Sequence, residues 1–152
     1  MAWTRARRRW AWALVPVLAV LAVAVPLVVA RRLEPTPAGT PVNVRLEDFK
    51  LRRDVPVVPA GTVVLHVLNE GPTTHEVSVI RTDRAPDKLP LRRDGLTINE
   101  DAPGMDFINE AEGLDIGDRR TLALHLPAGN YVLYCNMDGH YLGGMHASLT
   151  VR

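Results

Sequence analysis

Cysteine is almost absent: the 152-residue chain has one, Cys135. No internal disulfide can form, and a lone thiol in a domain outside the cytoplasm needs another explanation. Aromatic residues are also scarce, at 5%, against 47% apolar and 23% charged residues, with 12 prolines and 11 glycines. That balance excludes a disordered acidic or basic tail and a collagen-like repeat. Only one long hydrophobic run exists, which excludes a polytopic membrane protein. An excess of positive charge is missing too. The formal net charge is +1, but residues 1–32 hold six arginines and no acid. Residues 33–152 therefore hold 12 basic and 17 acidic groups, a net of −5, which argues against a nucleic-acid binder. About 120 residues remain after residue 32, enough for one domain with one core and the usual size of a β-sandwich.

What is present begins with a leader. Arg5, Arg7, Arg8 and Arg9 precede an uncharged run from Trp10 to Ala30, which Arg31 and Arg32 close. As a helix the run would span roughly 31 Å, close to the hydrocarbon thickness of a bilayer. Pro16 and Pro26 are tolerable in a membrane helix, and Trp10 and Trp12 sit where an interfacial belt would be. The sequence thus predicts an N-terminal hydrophobic helix over residues 1–32, a membrane anchor through residues 10–30 or a cleaved signal peptide with Val28 and Ala30 before the cut. Both readings export the rest, to the extracytoplasmic face of the membrane if anchored and to the periplasm or medium if cleaved. Residues 33–41 carry three prolines in nine positions, a semi-stiff tether.

From residue 42 onward the apolar period is two. Val42, Val44 and Leu46 alternate with polar residues, as do Leu122, Leu124 and Leu126. Thr62 to Leu68 is a β-branched run between Pro-Ala-Gly and Asn-Glu-Gly-Pro; Val77 and Val79, Tyr131 to Cys135, and Ala147 to Val151 complete the set. Short strands bounded by Gly, Pro and Asn clusters predict an all-β sandwich or barrel over 42–152. Residues 82–118 break the pattern. They are too long for a hairpin loop, which predicts a functional segment or one partly ordered by short helices. Within them, residues 94–118 carry eight acids and no lysine or arginine. Those acids either attract a basic partner or keep the segment solvated.

The chemistry is concentrated near the C-terminus. Cys135, His140 and Met145 form Cys-x4-His-x4-Met on a loop between two predicted strands, and His75 opens another strand after a Gly-Pro-Thr-Thr turn. Two imidazoles, a thiolate and a weak thioether suit copper: the sulfur ligands favour Cu(I), and imidazole serves both oxidation states. Asp138-Gly139 supplies a turn that returns His140 toward Cys135, and Gly143-Gly144 lets the backbone pass closely before Met145. His146 competes with Met145, but it alternates with Ala147, Leu149 and Val151 in a way that turns it elsewhere. Zinc would lack a good fourth ligand. A binuclear copper site would need a second cysteine, a Cys-His hydrolase an oxyanion hole, and a multicopper oxidase more histidines and a longer chain.

These motifs resemble the cupredoxin family of small blue copper proteins, its rusticyanin and auracyanin branch more than plastocyanin. The lead-in Pro127-Ala128-Gly129-Asn130-Tyr131 and the strand start Thr74-His75-Glu76-Val77 resemble the family as well. The resemblance implies an eight-stranded Greek-key β-sandwich and one type 1 copper on His75, Cys135, His140 and, axially, Met145. Glu76 departs from the family, where a small polar residue often bridges the two ligand loops; the departure bears on the reduction potential. The implied function is an exported one-electron carrier rather than an enzyme, with no small-molecule substrate. The alternative is an extracytoplasmic copper storage or delivery protein. Redox partner proteins would dock near His140, on a collar of Met137, Tyr141, Leu142, Gly143 and Gly144.

Overall fold

Alternation at 42–46 and 62–68 produces neighbouring strands whose inward residues are fully buried, and the same logic builds most of the domain. The computed structural model describes residues 37–152. The leader at 1–32 and residues 33–36 of the tether lie outside the described residues. Nine strands are described rather than eight: β1 (Thr40–Glu47), β2 (Lys50–Arg53), β3 (Val57–Val58), β4 (Gly61–Asn69), β5 (His75–Arg81), β6 (Asp106–Leu114), β7 (Arg119–Leu126), β8 (Gly129–Tyr134) and β9 (His146–Val151). β1 starts inside the expected tether, at Thr40. The described residues contain no helix, and so none that could cross a membrane.

The strands form two mixed sheets, ordered β2-β1-β4-β7 and β3-β9-β8-β5-β6. β1 runs parallel to β4 and β3 parallel to β9, while the other pairs are antiparallel. Val44, Leu46, Val63, Leu65 and Leu126 from the first sheet meet Val77, Val79, Leu133 and Leu149 from the second in one core. Cys135 and Met145 belong to that same core. Tyr131, buried at the start of β8, donates its hydroxyl to the Pro127 carbonyl at 2.7 Å and pins the turn before the strand. Tyr131→Phe leaves that carbonyl unpaired. The expected loss is about 1 kcal/mol, read as a lower urea midpoint at unchanged m-value.

Residues 82–118 do not contain the short helices expected of them. Residues 106–114 form β6, and the segment before it folds over the outer face of the five-stranded sheet. There Leu89 and Ile98 join Ile80, Val132, Tyr134 and Tyr141 in a second apolar cluster. This explains why β5 and β8 are buried on both faces. A strand buried on two sides loses the simple alternation of a half-exposed one.

Candidate metal centre

Antiparallel pairing of β5 with β8 carries the site. Ser78 stands opposite Tyr134, so the start of β5 and the end of β8 lie at one end of the sheet. His75, the first residue of β5, thereby reaches Cys135, sixty residues on. Cys135 and Met145 close the β8–β9 loop, with the Cys135 N–H donating to the Met145 carbonyl at 3.0 Å. Inside that loop the His140 N–H donates to Met137 O at 3.0 Å and the Met145 N–H to His140 O at 3.1 Å. Gly139 takes φ 77°, which provides the return turn read from Asp138-Gly139.

The loop before β5 is fixed from within. Buried Asn69 donates to the carbonyls of Thr73 and Leu114, both at 2.8 Å, and accepts the Gly71 N–H at 2.9 Å. Both N–H donors and the carbonyl oxygen of its amide are engaged, as burial requires. Gly71 is required by a close approach: a Cβ there would lie 2.9 Å from both His75 Nε2 and Asp48 Oδ1.

Three of the four sequence-predicted ligands converge. The donor atoms of His75, Cys135 and His140 all lie within 4.8 Å of one another. His75 Nδ1 is 3.2 Å from His140 Nδ1, and Cys135 Sγ is 3.4 Å from the same nitrogen. His75 and Cys135 are fully buried, while His140 is partly exposed. Met145 is fully buried in the core cluster that holds Cys135, its backbone bonded to Cys135 and His140. His146, its competitor, lies with its ring 5.1 Å from Tyr141, in the other cluster's territory.

Electrostatics suit a soft metal. Burial pushes the Cys135 thiol up to about 11, against the opposing pull of the Met137 and Glu76 backbone amides. The metal-free thiol is therefore protonated at neutral pH, and a bound metal must displace that proton. Burial and then the neighbouring His75 hold the His140 imidazole below its usual value, leaving it a neutral donor at pH 7. Two imidazoles and a displaceable thiol, in a buried pocket whose loop also carries Met145, fit copper.

Glu76, the departure from the family pattern, still bridges the two ligand loops. Its carboxylate accepts the Asn136 N–H at 2.8 Å, next to Cys135. Burial, with further repulsion from Glu110, Glu112 and Glu100, raises the Glu76 carboxyl. Asn136 in turn accepts the Ile98 N–H at 2.5 Å and donates to Glu100 at 3.1 Å, tying the ligand loop to the covering segment.

Two expectations about the rim change. Tyr141 is not part of an exposed collar. It is buried, its hydroxyl donating to Pro86 O and accepting from Leu89 N, both at 2.8 Å. Leu142 is exposed, and the missing apolar member is Phe49, 59% exposed beside His140 with ring centroids 5.9 Å apart. Sequence reading missed Phe49 and Asp48 altogether. Their only signal is the break in alternation between Leu46 and Leu51.

The sulfocyanin (SoxE) domain family matches residues 54–152. Among solved structures, auracyanin from Roseiflexus castenholzii is 22% identical with a TM-score of 0.54, over 76% of this chain and 99% of that one. Auracyanin B is 24% identical, TM-score 0.53, over 79% and 93%. Rusticyanin from Thiobacillus ferrooxidans is 17% identical, TM-score 0.53, over 84% and 93%. No curated protein matches the sequence. A family match over about two thirds of the chain, on this two-sheet fold, makes the protein a cupredoxin and a member of the sulfocyanin (SoxE) domain family.

Proposed function

We propose that the protein is an exported one-electron carrier with a single type 1 copper, which His75, Cys135 and His140 would hold together with Met145 as a weaker ligand. The observation that carries this reading is the convergence of two histidine nitrogens and one cysteine sulfur within 4.8 Å at the buried end of the sandwich. Copper bound there supplies a one-electron couple between Cu(I) and Cu(II). The chain's own part is to keep the donor atoms in place in both states. His75 and Cys135 sit at strand ends, and Met145 enters β9, so three of the four positions are fixed by the sheet. A rigid donor set limits rearrangement when the charge changes.

A storage or delivery role requires ligands that a recipient can reach, and Cys135, His75 and Met145 are all buried. His140 alone approaches the surface, and electrons would pass along its imidazole edge. Leu142 and Phe49 flank it as an uncharged rim suited to brief contact with a redox partner protein. The leader would tether the domain to the membrane through residues 10–30, or release it after cleavage, on the extracytoplasmic side in either case. Support for export is the uncharged run with more arginine before it than after it.

The test is reconstitution. Cu(II) added to the protein should give an intense thiolate-to-copper absorption that bleaches reversibly with ascorbate; a colourless protein retaining Cu(I) would favour storage or delivery. Leu142→Glu, at a side chain 55% exposed, should leave that spectrum intact. It should also slow electron transfer to the native partner about tenfold, the effect of ~1.4 kcal/mol at a rim position. An unchanged rate moves the docking face away from His140.

A further inference from the structure

The turn between β1 and β2 consists of two residues, Asp48 and Phe49, since Glu47 already pairs with Lys50. Each reaches a different histidine. Asp48 Oδ1 lies 3.0 Å from His75 Nε2 and also accepts the Thr73 hydroxyl at 2.8 Å. Phe49 sets its ring edge-on to His140, with planes at 63°, and packs against Gly143. A Cβ on Gly143 would fall 2.2 Å from the Phe49 ring.

The turn is also strained. Phe49 has φ 58°, the one non-glycine residue with positive φ among the described residues. A bulky side chain in the left-handed region costs about 1–3 kcal/mol and persists where its surroundings over-determine it. Glycine or asparagine would relieve the strain, and neither could cover His140. Strain and exposure together need a reason, because an exposed phenylalanine gains little from burial.

We propose that the Asp48-Phe49 turn is the positioning element of the metal centre. Asp48 holds the His75 proton on Nε2, which leaves Nδ1 free toward Cys135 and His140. Phe49 holds the His140 ring from the solvent side. The inference rests on the copper reading for its redox consequence, but the positioning itself is a property of the metal-free chain. A carboxylate on the far nitrogen makes the imidazole a stronger donor, which favours Cu(II) over Cu(I) and lowers the reduction potential. Both residues act through the histidines.

The experiment uses the full chain in mild detergent. In the metal-free protein, long-range nitrogen–proton NMR correlations read the His75 tautomer. Wild type and Asp48→Asn should both show the proton on Nε2, because the amide oxygen still accepts it. Asp48→Ala should show a mixture of tautomers; an Asp48→Ala spectrum identical to wild type overturns the Asp48 half. Chelator competition then reads copper. Asp48→Asn keeps the tautomer and removes the charge, so Cu(II) affinity should fall about tenfold relative to Cu(I), a potential about 59 mV higher; an unchanged ratio overturns the electronic role. For Phe49, glycine relieves the backbone strain and so preserves folding. Phe49→Gly should raise the amplitude of His140 ring motion in NMR relaxation of the metal-free protein, and equal ring order in both proteins overturns that half. Should wild type bind no copper, the proposed function fails while the NMR measurements still decide the positioning.

Discussion

Cys135→Ser is expected to yield a folded protein with no intense charge-transfer absorption in the presence of Cu(II). The absorption requires sulfur electrons beside the metal, and a hydroxyl is a poor soft donor. The loss in copper affinity should exceed the ~10–100-fold that removing a ligand's hydrogen-bond partner costs, because a ligand itself is gone. Stability must be separated from binding, since Cys135 is also fully buried in the main core. Serine there leaves a hydroxyl without an assured partner, costing about 1–3 kcal/mol. Cys135→Ala avoids that penalty and leaves only a small cavity. The two variants should therefore share the spectral loss and differ in urea midpoint, alanine being the more stable. A variant that keeps the band removes Cys135 from the centre, whatever its stability.

The sheet strands with one buried face were legible because period two survives wherever one side meets solvent or polar loops. Val42, Val44 and Leu46 announced β1, and Leu122, Leu124 and Leu126 announced β7. β6 was not legible: of its nine residues only Ala111 and Leu114 are buried. It is an edge strand with two register shifts against β5, and its side chains carry the acids that make the segment read as a loop. β2 and β3 are too short to show a period, at four and two residues. The covering segment was hidden for a different reason. Leu89 and Ile98 are isolated apolar residues in a polar stretch, and their burial depends on Ile80 and Tyr134 across the sheet.

The same division runs through the site. Cys135, His140 and Met145 share one loop, so their spacing carried the chemistry, and His75 was recognisable from its strand start. Asp48 lies 27 residues before His75 and touches it only because the first sheet places the β1–β2 turn over the end of the second. Nothing local marks it. Tyr141 was misassigned to the rim because it sits between His140 and Leu142 in sequence. Its hydroxyl bonds to the segment at 86–89 pull it inward, and the rim gains Phe49 from another sheet instead.

Met145→Leu tests the axial position and separates it from packing. Leucine nearly conserves volume, so the cost in stability should stay below about 1.5 kcal/mol, and the loop's hydrogen bonds to Cys135 N–H and His140 O involve only the Met145 backbone. What changes is the loss of a thioether in a fully buried position. A thioether is soft, but Cu(I) is satisfied by three stronger donors whereas Cu(II) prefers a fourth, so its removal should leave copper bound and raise the reduction potential. A tenfold change in the ratio of the two affinities corresponds to about 59 mV for one electron, and the shift should be of that order or larger. It adds to any Asp48→Asn shift only if the two residues act independently, and they act through different ligands. Loss of copper from Met145→Leu, or an unchanged potential, transfers the axial role to another group, and His146 is the next residue to replace.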